Sequence, residues 1–141
     1  MTSTFGAEMK FLNVDLEITS RRRPAALLAD FADQVFILHD GKVAGVYFTA
    51  VELSSCPKTE SKVLAGILSL LAGLSKKGRV ELAKARLKRI DIGYSKAKGE
   101  RFEHSFSPAV LRTISNYGCE LGVTLYEEKK EPNQSSTAQR P

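Results

Sequence analysis

The sequence has no tryptophan, two cysteines and two histidines in 141 residues. Cys56 and Cys119 form no metal-binding or redox spacing, and two isolated thiols point to a reducing, cytoplasmic setting. No cofactor and no metal are expected from so sparse a ligand set. The longest mostly apolar run, Val63 to Leu74, is interrupted by Gly66, Ser69 and Gly73 and falls short of the ~20 residues a spanning helix needs. A membrane partner is therefore not expected. Residues 1–8 lack the basic-then-apolar order of a secretory signal and read as a loose leader. Dinucleotide-binding, P-loop and nucleophile-elbow motifs are absent, and Ser-Leu-Leu-Ala-Gly at 69–73 lies within a helical pattern.

The 43% apolar and 26% charged composition is that of one ordinary globular domain, expected over 9–127. From 128 to 141 no apolar period is left, which predicts a disordered tail. The best helical pattern starts at Ser61. Val63, Leu64, Ile67, Leu68, Leu70, Leu71 and Leu74 line a wide arc that a sheet must cover. Thr59 is its expected N-cap. A second helix is expected over Arg79–Lys88, with Val80, Ala83 and Leu87 facing inward.

Before that stretch, Leu12, Val14, Leu16 and Ile18 alternate with Asn13, Asp15 and Glu17, the pattern of a strand with one wet face. Ser20 to Arg23 reads as a polar turn, and Pro24 opens a short helix with Leu27, Leu28 and Phe31 inward. Asp40-Gly41, between two apolar β-branched runs, predicts a type I′ hairpin that pairs Ile37 with Ala44 and sits centrally in the sheet. After the helices, Ile90, Ile92 and Tyr94 mark a strand, and Phe102, His104 and Phe106 a further one. Ser107-Pro108 starts a helix, Gly118 stops it, and a last strand follows. The expected fold is α+β: a ferredoxin-like split βαβ with a C-terminal βαβ extension, mostly antiparallel, helices on one face.

Charge supplies the functional signal. Ten Lys and Arg face three acids between 76 and 101, a local net of +7 against +5 for the whole chain. Arg79, Lys84, Arg86, Lys88, Arg89, Lys96 and Lys98 are the candidate binding residues for an acidic protein partner. No aromatic that could stack a base occurs there until Tyr94, which argues against nucleic acid. Catalytic candidates are fewer. Asp15 and Glu17 could serve as a carboxylate pair, and His39 or His104 as a proton carrier, provided they converge.

Arg89-Ile-Asp-Ile-Gly-Tyr94 and the stretch Ser107 to Tyr126 resemble small uncharacterised bacterial α+β proteins, some of which are similar to immunity proteins of toxin systems. That resemblance implies a partner-binding module and carries no catalytic residue across. Two functions follow: a small cytoplasmic protein-interaction module, immunity- or inhibitor-like, or a small hydrolase-type enzyme with a carboxylate/His site. Nucleic-acid binding through 76–101 is a third.

Overall fold

The computed structural model describes residues 9–128. The expected leader and all but the first residue of the expected tail lie outside these residues. Five strands and four helices are present among them: β1 Met9–Ser20, α1 Ala25–Phe31, β2 Val35–Val43, β3 Val46–Leu53, α2 Glu60–Ala72, α3 Lys76–Lys84, β4 Leu87–Ala97, α4 Pro108–Asn116 and β5 Glu120–Glu128. A 3-10 turn, Ala32–Gln34, joins α1 to β2. One sheet holds all five strands in the order β2-β3-β1-β4-β5. Every neighbouring pair is antiparallel except β4 with β5. The fold is thus α+β with a mixed, mostly antiparallel sheet.

β1 sits in the middle because its alternation suits a strand with one dry face. Val14, Leu16 and Ile18 are buried, and they meet Val51 of β3 and Ile90 and Ile92 of β4. Helix residues cover this side: Leu27, Leu28 and Phe31 of α1, Val63, Leu64, Ile67 and Leu71 of α2, Leu82 of α3 and Ile114 of α4. Among the described residues no helix lies on the opposite face. Caps fall where residue chemistry asks for them. Thr59, Ser75 and Ser107 each accept a hydrogen bond from the backbone N–H three residues on, at 3.3, 3.1 and 3.1 Å. Ser75 therefore caps α3, and the preceding helix ends at Ala72, two residues before the apolar run does.

Four expectations change. The hairpin turn lies at Ala44-Gly45, not at Asp40-Gly41. Val43 pairs with Val46, and φ is +51° at Ala44 and +86° at Gly45, the pair of left-handed residues a type I′ turn requires. Asp40 is drawn into β2 instead, where its carboxylate accepts from Tyr47 Oη and from Arg23 Nε at 3.1 Å. The ribbon is not central either: β2 is a sheet edge, and its two-faced apolar pattern leaves side chains exposed. The second helix stops at Lys84, so Leu87 opens β4. Gly78 and Leu82 face inward, while Val80 and Ala83 stay exposed. Gly78 is buried because a Cβ there would collide with the Asp30 carboxylate of α1. Finally, 101–106 is not a strand. The edge of β4 that it would need is taken by β5, and Phe102, His104 and Phe106 fold over Tyr94, with ring centroids 5.2 Å (Phe102) and 5.3 Å (His104) from it.

Two substitutions check this arrangement. Leu71 is completely buried at the centre of α2, so Leu71→Ala should lower unfolding free energy by roughly 2–5 kcal/mol in denaturant melts. Gly45→Val forces a β-branched residue to positive φ and should cost about 1–3 kcal/mol, whereas Gly41→Val, at ordinary strand φ with its nearest neighbour 3.9 Å away, should cost less than half as much.

Candidate functional site

A groove of about 740 Å³ opens between the turn after β1 and the exposed flank of α3. Arg21, Arg22 and Arg23 form one wall, Lys76, Lys77 and Lys84 the other, and Pro24, Ala26, Val80 and Ala85 give it an apolar floor. Glu81 is its one carboxylate, and that group is occupied: Oε1 accepts from the backbone N–H of Leu27 at 2.8 Å, closing the first turn of α1. Asp40 holds Arg23 from behind. The other five cations have no ion-pair partner among the described residues. Tethers fix both walls. Asp30 accepts from the N–H and Oγ of Ser75 at 2.9 and 2.8 Å, and the Arg86 N–H donates to Thr19 O at 2.8 Å.

The basic candidates read from the sequence scatter over this framework. Lys84 lines the groove. Arg79 turns back to donate to Leu74 O at 2.8 Å. Arg86 is exposed where α3 gives way to β4, and Lys88 lies against Gly118. Lys96 donates to Glu100 O at 2.6 Å and lies 3.8 Å from Glu127, while Lys98 is exposed in the turn after β4. Arg89 points to the helix-free face, 3.3 Å from Asp91, 3.8 Å from Glu120 and 3.9 Å from Glu17. Of the groove's six cations only Lys84 is among the candidates named from the sequence; Lys76 and Lys77 lie in the basic segment but are not named, and Arg21 to Arg23 lie outside it. The signal for the latter is a run of three arginines directly before the proline that opens α1.

The catalytic candidates do not converge. Asp15 and Glu17 lie on the helix-free face of β1, next to Glu52 and Asp91 on the adjacent strands. His39 shares that face, two strands away, and packs on Phe48 at 5.2 Å. His104 is on the other face of the sheet, where Nε2 sits 2.9 Å from Glu60 Oε2 and the other Glu60 oxygen accepts from Tyr94 Oη. Burial and that bond together push the Tyr94 phenol above its ordinary range. Tyr94 is thus a core anchor for the 100–106 segment. Cys119 is held protonated by burial, and Cys56 is exposed. Among the described residues no group of three His, Cys, Asp or Glu has metal-binding geometry.

The acidic face has one electrostatic consequence. Burial, then Glu52, Glu17 and Asp91, raise the Asp15 carboxyl to about 6, and its Oδ1 is enclosed without a hydrogen-bond partner. Burial and Asp91 also raise Glu17, against Arg89, which lowers it.

Comparison with protein-family models, with curated proteins and with solved structures gave no match to this chain.

Asp15 therefore predicts a pH dependence. A carboxyl whose pKa is higher folded than unfolded favours the folded state at low pH, and that contribution is lost as pH rises from about 4 through about 6. Asp15→Asn should remove this fall and stabilise the protein at neutral pH by about 1 kcal/mol, a figure reduced for the screening a partly exposed site receives. Urea melts across pH 4 to 8 check it; a variant whose pH profile matches the wild type's refutes the assignment.

Proposed function

We propose that this chain is a small cytoplasmic interaction module, inhibitor- or immunity-like, that receives an acidic stretch of a partner protein in the Arg21–Lys84 groove. The carrying observation is the concentration of six cations around a groove whose only carboxylate is already engaged. Field lines converge in a concave basic site and raise the encounter rate with an acidic ligand. The apolar floor suits a peptide that interleaves acidic with small apolar residues. Nucleic acid is less well served, since no aromatic lines the groove to stack a base. The scaffold for this reading is a ferredoxin-like split βαβ. It is supported by β3 lying between β1 and β2, which run in the same direction.

The test compares the wild type with the triple reversal Arg21→Glu, Arg22→Glu, Lys77→Glu. Surface plasmon resonance against a poly-glutamate peptide and a single-stranded oligonucleotide of equal charge, over a salt series, reads both rate constants. The wild type should bind the peptide with an on-rate that falls with salt, and the reversal should slow it by about tenfold or more. Reversing Arg86 and Lys98 instead should change little. Tighter binding to the oligonucleotide, falling log-linearly with salt, would move the function to nucleic acid.

A further inference from the structure

Among the described residues eleven large hydrophobic side chains are exposed, and seven of them lie on the two edge strands: Phe36, Ile37, Leu38 and Val43 on β2, and Val123, Leu125 and Tyr126 on β5. Phe36 and Tyr126 are 50% and 54% exposed. Edge strands in soluble proteins are normally guarded by proline, lysine, inward charges or brevity. These are nine residues each and contain no proline. β2 is guarded by Lys42, by Asp40 paired with Arg23, and by the bulge between Ile37 and His39. β5 has neither lysine nor bulge. The two-residue loop makes Val43–Val46 a hydrogen-bonded pair, so Asp40 and Lys42 turn their backbone N–H and C=O groups to the open edge.

We infer that this is a self-assembly surface, and that β2 of one copy pairs with β5 of the next. Strand direction fits. β2 runs with β1, whereas β4 and β5 run against it. A second copy set beside the first in the same orientation brings its β5 antiparallel to β2, with the helices of both on one side. Faces match as well, because Phe36 and Tyr126 share the helix-free face, and Ile37 and Leu125 the other. Charge selects the pairing. β5 carries Glu120, Glu127 and Glu128 and no cation; Arg89 and Lys96 of β4 reach two of the three, at 3.8 Å each, so two β5 edges still bring like charges together. On β2, Arg23 already offsets Asp40, so that edge carries Lys42 and no unpaired carboxylate, where β5 is acidic. Pairing β2 with β2 would leave the apolar residues of β5 in water. Only the head-to-tail contact covers both sets. Such a contact is heterologous and gives chains or rings rather than a closed dimer.

Sedimentation velocity over a concentration series tests this, with Ile37→Lys disabling one edge and Leu125→Lys the other. Both positions are about half exposed, and circular dichroism checks that the variants fold. Wild type should form a ladder of species that grows with concentration, and each variant alone should stay monomeric. Mixing the two variants should restore a single one-to-one complex, since each keeps the edge the other lacks. Hydrogen exchange on the wild type gives an independent reading: the Asp40 and Lys42 amides should slow as assembly proceeds. Wild type that remains monomeric throughout overturns the inference. So does self-association of either variant alone, a mixture that does not pair, or assembly without slowing of those amides.

Discussion

Everything in this molecule follows from a sheet that is dry on one side only. β1 lies in its middle, bonded to β3 and β4, and its alternation sets Val14, Leu16 and Ile18 against the arc of α2. Burying those side chains, each contributing about 1.5–3 kcal/mol, is what holds sheet and helix together. The same alternation sends Asp15 and Glu17 to the other face, where cross-strand neighbours bring Glu52 and Asp91 beside them. Like carboxylates on adjacent strands destabilise. Arg89 relieves the crowding from the centre of the row, and it can lie flat there because position 122 is glycine, where any Cβ would collide with the guanidinium. A second support is polar: Thr124 Oγ1 donates to both Asp91 oxygens, at 3.0 and 3.1 Å.

Much of this frame was legible in the residues. The period-2 pattern of β1, the apolar arc of α2, the Thr59 and Ser107 caps, the Gly118 stop and the closing strand are local signals, and local physics decided them. The failures share a cause. Two dipeptides in the β2–β3 ribbon could turn, and residue preference favours Asp-Gly over Ala-Gly. The choice went the other way because Asp40, once in the strand, gains Arg23 and Tyr47, seventeen and seven residues away. Its carboxyl is held below the usual range chiefly by the Tyr47 hydroxyl. A similar contest decided 101–106. Alternating aromatics look like a strand, but they also fit a segment laid across Tyr94, and β5 had already occupied the free side of β4.

The proposed binding surface was legible only as composition. Counting charge along the chain located a basic segment between 76 and 101, but folding divides it. Lys76, Lys77 and Lys84 stay on α3, while Arg89 and Lys96 are carried by β4 into ion pairs. The cations that complete the groove come from the turn after β1, more than fifty residues earlier, and only the packing of α1 against α3 brings them together. The chain thereby becomes electrically two-sided: carboxylates on the bare sheet face, cations at the end of β1.

That separation bears on how the groove could work. Five of its cations line the same opening without an ion-pair partner among the described residues and repel one another, so an unsupported site would spread apart. It does not have to rely on a ligand to hold its shape. Glu81 bridges α3 to the Leu27 amide in the first turn of α1, Asp30 bridges α1 to the Ser75 cap of α3, and the Arg86 N–H fixes the exit of α3 to the end of β1. Ser20 Oγ donates to Arg22 O at 2.7 Å and pins the arginine turn itself. Each tether joins one wall to the frame, so little ordering of backbone is left for binding to accomplish. Ordering costs subtract directly from affinity. For the proposed acidic partner, a preformed basic groove of this kind would supply a rate advantage through charge and persistence through rigidity, and both trace back to the side of the sheet on which the helices pack.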